Sequence, residues 1–183
     1  MKEVKETVEL SMDELRDIAG YAAECAHRVL PIFEQIMPDD PRPRDAIEAA
    51  LVFSKDGKRS NALRAKGFAG YKAARGASTP AAIEAGEAAT QAIGAAYLHP
   101  LASAMQVKHI LGAAAHAARA AELHAGDDRS IGVESCNWAV QHASSTVVAV
   151  LVRYPTAPAG GGRTGELLRN IDTALRLSAK KGA

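Results

Sequence analysis

Glu24 and His27 stand three residues apart, a spacing that places a carboxylate and an imidazole on one helix face where they can share a metal ion. This Glu-x-x-His is half of a di-iron bundle motif. The full motif needs a second copy and two further glutamates on partner helices, and the chain has no second Glu-x-x-His. His109 and His116 would lie two turns apart on one helix, about 10 Å along the axis, too far to share one ion without a third element between them. The six histidines therefore read as side chains in or at the edge of a core. Glu24 and His27 remain the residues of an alternative, metal-binding or enzymatic, function, and neither a metal nor a cofactor is expected.

Other chemistry is weaker. Gly160 to Glu166 spaces its glycines like a phosphate-binding loop, but Glu166 stands where that loop needs a lysine to reach the phosphates. Cys25 and Cys136 fall outside any Cys-x-x-Cys or Cys/His ligand spacing and read as free thiols. Cys25 and His27 are two positions apart, so a helix turns them away from each other. No Gly-x-Ser-x-Gly occurs.

The densest polar cluster runs from Asp39 to Glu48. Pro41 and Pro43 stiffen the backbone while Arg42 and Arg44 hold guanidinium forks beside Asp39, Asp40 and Asp45. Two readings compete here. In one, Arg42, Arg44, Asp45 and Glu48 form a rigid partner-recognition corner, arginine being enriched where interfaces concentrate their binding energy. In the other, the acids cap the following helix and the arginines pair internally or with the end of the first helix.

The elements that must position these residues are helices. Alanine accounts for 39 of 183 residues, and it is the best helix former. Ser11 and Glu14 form a capping box that opens a helix reaching to about Met37, with Pro31 kinking or ending it. Three prolines between Pro38 and Pro43 separate it from a second helix that ends near Gly57. A third, Lys58 to Arg75, contains Gly67 and Gly70, read as sites of close helix packing rather than of ligand approach. Thr79-Pro80 starts a fourth that runs to about Leu98; a fifth spans Leu101 to His124, stopped by Gly126, and a sixth Ser130 to Arg153.

The predicted fold is all-α, a single domain of six or seven helices, arranged as an alanine-rich orthogonal bundle or a helical-hairpin array. Residues 1–155 form the helical core, 156–164 a flexible linker rich in small residues and proline, and 165–179 an amphipathic C-terminal helix that docks on the core or on a second subunit. A chain of this length buries enough surface to fold without disulfides or metal. With 22 basic and 21 acidic residues the formal charge is +1, which argues against a nucleic-acid binder. The charge-free run from Ser135 to Val152 is interrupted by Asn137, Gln141, His142 and three hydroxyl residues, so it reads as a core helix and no membrane association is expected. Met1 to Leu10 lacks an apolar signal segment, which predicts a cytoplasmic address.

Ala23 to Glu34, with Cys25, His27, Pro31 and Phe33, followed by Asp40 to Ala49, resembles the immunity-five-like family of bacterial immunity proteins, as does the histidine-punctuated alanine stretch from Gly94 to Ala121. Such proteins belong to polymorphic toxin systems and protect the producing cell by binding the cognate toxin. The resemblance implies an immunity protein whose partner is a protein toxin, a cytoplasmic location and no catalytic residues. Against it stand the metal-binding or enzymatic alternative and a self-assembling helical module, a homo-oligomer joined through the tail helix.

Overall fold

The computed structural model describes residues 6–181, and three quarters of them are helical. The helices are α1 (Met12–His27), α2 (Leu30–Ile36), α3 (Arg42–Asp56), α4 (Asn61–Gly76), α5 (Pro80–Ala95), α6 (Val107–His124), α7 (Arg129–His142), α8 (Ser145–Leu151) and α9 (Gly162–Lys181). No strand occurs among the described residues, only an isolated bridge between Thr7 and Leu101. The all-α class is as predicted; the count is corrected from six or seven to nine among the described residues, because two of the expected helices are each divided.

Both divisions have local causes. Pro31 has no N–H to give, and its ring would meet the carbonyl of His27 if the first helix ran on. The chain instead ends α1 at His27 and restarts at Leu30, so that Pro31 falls in the first turn of α2, where an absent donor costs nothing. The expected Ser130–Arg153 helix breaks at Ala143, whose backbone is extended, and Ser144 caps the next helix by accepting the N–H of Val147 at 3.2 Å. The fifth helix begins later than expected, at Val107. Residues 100–102 use their backbone elsewhere: Val8 N–H donates to Pro100 at 2.7 Å and Ala102 N–H to Glu6 at 2.9 Å.

Alanine does its work at the centre. α5 packs against α1, α2, α3, α4 and α6, and it presents Ala82, Ala85, Ala88, Ala89, Ala92 and Ala95 fully buried. Small side chains let so many neighbours approach one helix, while the volume is filled from the outside by Ile18, Phe33, Ile47 and Phe53 of the helices packed on it. Gly67 and Gly70 of α4 have the packing role expected of them: a Cβ on Gly67 would lie 3.0 Å from the Ile93 side chain, and one on Gly70 3.3 Å from Thr90. These pairs run α4 and α5 antiparallel, side by side.

The C-terminal helix α9 packs on α6, α7 and α8 through Leu167, Leu168, Ile171 and Leu175. Two charged clusters fix it. Glu122 at the end of α6 is fully buried; it accepts from Arg163 Nε at 3.0 Å and from Arg119 Nη1 at 2.7 Å, and the missing side chain of Gly132 makes room for its carboxylate. Buried Asp172 accepts from Arg176 at 2.8 Å and from the Ala157 N–H at 3.0 Å, while Arg176 also donates to the carbonyls of Leu151, Tyr154 and Pro155. The segment before α9 is thus hydrogen-bonded to that helix, which begins at Gly162, three residues ahead of the expected start.

Candidate partner-binding surface

In the 39–48 corner the arginines are already occupied. The Asp40 carboxylate accepts Arg42 Nε at 2.8 Å and Nη2 at 2.6 Å, a bidentate pair whose hydrogen bonds from Arg42 hold the Asp40 carboxyl below its usual range. Arg44 makes the same fork on Glu34 of α2, at 2.8 Å for both bonds, and so ties the start of α3 to α2. Asp45 takes Lys66 of α4 at 2.6 Å. Glu48 points to solvent without an ion pair among the described residues. The structure therefore brings Arg42, Arg44 and Asp45 together as a set of surface ion pairs linking α2, α3 and α4.

Both guanidinium groups remain nearly half exposed, so their pairs are weakened by water and salt. Replacing Arg42 and Arg44 together by alanine is expected to cost about 1 kcal/mol, read as a melting temperature a few degrees lower whose difference from wild type shrinks in 0.5 M salt.

Glu24 and His27 both lie on the exposed side of α1. Among the described residues no group of three or more His, Cys, Asp or Glu side chains is arranged to hold a metal ion. His116 Nδ1 instead meets Glu84 Oε2 at 2.6 Å, bridging α6 to α5, and burial pushes the pKa of His109 below the usual imidazole value. Cys25 and Cys136 are free and buried; burial raises the Cys25 thiol to about 12 and that of Cys136 to about 11, which keeps both protonated and poor nucleophiles at neutral pH.

The feature that residue spacing did not reveal is on α4. Phe33 and Phe53 are inside the core, whereas Phe68 is 63% exposed, and Tyr71 beside it is 46% exposed. Together with Gly67, with Ile93 and Gly94 of α5 and with Tyr97 just beyond that helix they line a groove of about 440 Å³, to which His109 of α6 also contributes. Along α4, Arg64, Phe68, Tyr71 and Arg75 follow one another at four- and three-residue steps, so that an arginine stands at each end of the aromatic pair. Arg64 lies over the Tyr97 ring at 4.8 Å, and the Tyr97 hydroxyl donates to the Ser60 carbonyl at 2.9 Å, which anchors that ring.

Positive charge is concentrated in the same stretch of chain. Lys55 to Gly76 holds seven basic residues and one acid in a chain whose total is +1, so the remainder is net acidic. Among the described residues Arg64, Lys72 and Arg75 have no carboxylate within ion-pairing distance; Lys66 alone on α4 is paired, to Asp45. The signal was available in sequence as this basic run around two of the few aromatic residues.

Fold and surface together define an all-helical protein that presents an apolar, basic face on one helix hairpin. The chain belongs to the Imm-5 like putative immunity protein family, whose model matches residues 9–146, from before α1 into α8, with the α4–α5 groove inside the match and α9 beyond it. No curated protein and no solved structure matches the chain.

Proposed function

We propose that the chain is an immunity protein that neutralises a cognate bacterial toxin by binding it, acting in the bacterial cytoplasm and by occupancy rather than by catalysis. The observation that carries this reading is membership of the immunity family across residues 9–146. A helical scaffold with buried, protonated thiols, no helix among the described residues long and apolar enough to cross a membrane, and an exposed aromatic face is in keeping with a protein whose work is protein contact. The reading predicts a toxin encoded in an adjoining reading frame.

Co-expression tests the reading. Cells producing the adjoining toxin domain should stop growing, and growth should return to the uninduced rate when the full chain is supplied from a second promoter. Continued arrest, with the chain present in the soluble fraction at an amount equal to or above the toxin, would remove the immunity reading.

A further inference from the structure

We infer that the α4–α5 groove is the face on which the toxin docks, and that it takes an acidic amphipathic helix of that protein. This helix would carry apolar anchors at three- and four-residue steps, with Asp or Glu along its flanks. The inference rests on the immunity reading and adds the chemistry of the partner.

The groove runs between two antiparallel helices whose lining positions recur with helical spacing, Arg64, Phe68 and Tyr71 on α4 and Thr90, Ile93 and Gly94 on α5, with Tyr97 closing it just past the end of α5. A channel of that form receives the apolar stripe of a third helix, in the way an amphipathic helix lies in a hydrophobic groove. Phe68 is the one phenylalanine of three left outside the core, and aromatic side chains flanked by arginine are the composition in which binding energy concentrates. Among the described residues no carboxylate is within ion-pairing distance of Arg64, Lys72 or Arg75, although Glu87 lies near enough to Arg75 to feel its charge, so acidic side chains on the arriving helix would find positive partners along the rim.

Two other occupants fit less well. A second copy of the chain would set one basic rim against another, which like-charge repulsion opposes. A nucleic acid needs positive charge along both walls of its channel, yet α5 carries no Lys or Arg and its only charges are Glu84 and Glu87.

The test measures binding of the adjoining toxin domain, purified in a catalytically inactive form, to the full-length chain by titration calorimetry. Three double variants are compared with wild type: Phe68→Ser with Tyr71→Ser, Lys72→Glu with Arg75→Glu, and Arg42→Ala with Arg44→Ala. The serine pair is expected to weaken binding about 30-fold or more and the glutamate pair about tenfold, while the corner pair stays within about threefold of wild type. Wild-type affinity should fall as salt is raised from 0.05 to about 0.5 M, and less so for the glutamate pair. All four residues in the two groove variants are exposed, so their thermal melts should stay close to wild type.

If both groove variants bind the toxin like wild type, or if only the corner pair loses binding, the groove assignment is overturned while the immunity reading stands. If wild type itself neither binds nor protects, both fall. Sedimentation showing a wild-type dimer that the serine pair dissociates, or single-stranded RNA held more tightly than the toxin and released by the glutamate pair, would assign the groove to those occupants and overturn the proposal.

Discussion

Glu122→Ala is expected to lower the unfolding free energy by about 3–5 kcal/mol, the cost of removing one partner of a buried ionic cluster. Glu122 has no exposed surface, and the Arg163 and Arg119 side chains that hold it are themselves only 13% and 18% exposed. Alanine leaves two guanidinium groups facing a void with little water to solvate them. Arg163 retains Glu166 and Arg119 retains Asp127, both on the outer side, so the loss falls mainly on the inner bonds that fasten the start of α9 to the end of α6. Denaturant unfolding followed by far-ultraviolet circular dichroism reads the loss. A change below about 1 kcal/mol would mean that the apolar face of α9 holds the helix unaided.

The same carboxylate predicts a pH dependence. Burial alone would raise its pKa, but the hydrogen bonds and charges of Arg163 and Arg119 outweigh burial and leave it below the ordinary glutamate value of 4.5. A depressed folded-state pKa stabilises the fold above the unfolded pKa, and that contribution is lost as pH falls through the folded value. The stability gap between wild type and Glu122→Gln should therefore be constant from pH 8 to about 6 and close below about pH 4.5. A gap that does not narrow at all between pH 6 and pH 3 would show that charge at Glu122 is not what holds α9.

Helix starts were legible in the sequence wherever a side chain announces them. Ser11 and Glu14 form their reciprocal bonds at 3.1 and 2.8 Å, and Thr79 caps α5 with Pro80 in its first turn. The break at Pro31 was legible too, but the one at Ala143 was not, because a serine such as Ser144 is equally at home within a helix and at its cap. The delayed start of α6 depends on Val8 and Glu6, some ninety residues earlier in the chain, a pairing that no local pattern carries. At the 39–48 corner pairing within the cluster or with the end of the first helix was one of two competing readings, and Glu34 lies in that expected helix end, whereas Lys66 comes from α4, which no local pattern sets beside Asp45. The α4 groove stayed hidden for a related reason. Leu63, Gly67, Gly70 and Ala74 form one helical stripe and Arg64, Phe68 and Tyr71 the next, and only the packing of α5 decides which one faces inward.

That packing can be broken at one atom. Gly86→Val is expected to destabilise the protein by about 3 kcal/mol, because overpacking against main chain forces the helices themselves to move. A Cβ on Gly86 would lie 2.7 Å from the Cβ of Ala74 and 2.8 Å from its Cα, and a backbone atom cannot rotate out of the way. The helix-propensity gain on leaving glycine, about 0.4 kcal/mol for valine, is too small to reverse the sign. Gly76→Val is the matched control: nothing lies within 4 Å of its added carbon, and its stability should stay within about 0.5 kcal/mol of wild type. Gly86 and Ala74 lie at the same α4–α5 seam that sets the width of the groove between Phe68 and Ile93. Toxin binding by Gly86→Val, measured at a temperature where the variant remains folded, should therefore weaken although every groove side chain is intact. Unchanged affinity alongside the full stability loss would mean that α4 pivots about its Ala74 end and leaves the Phe68 region in place, so that the groove is held by Tyr97 and Arg64 rather than by the seam.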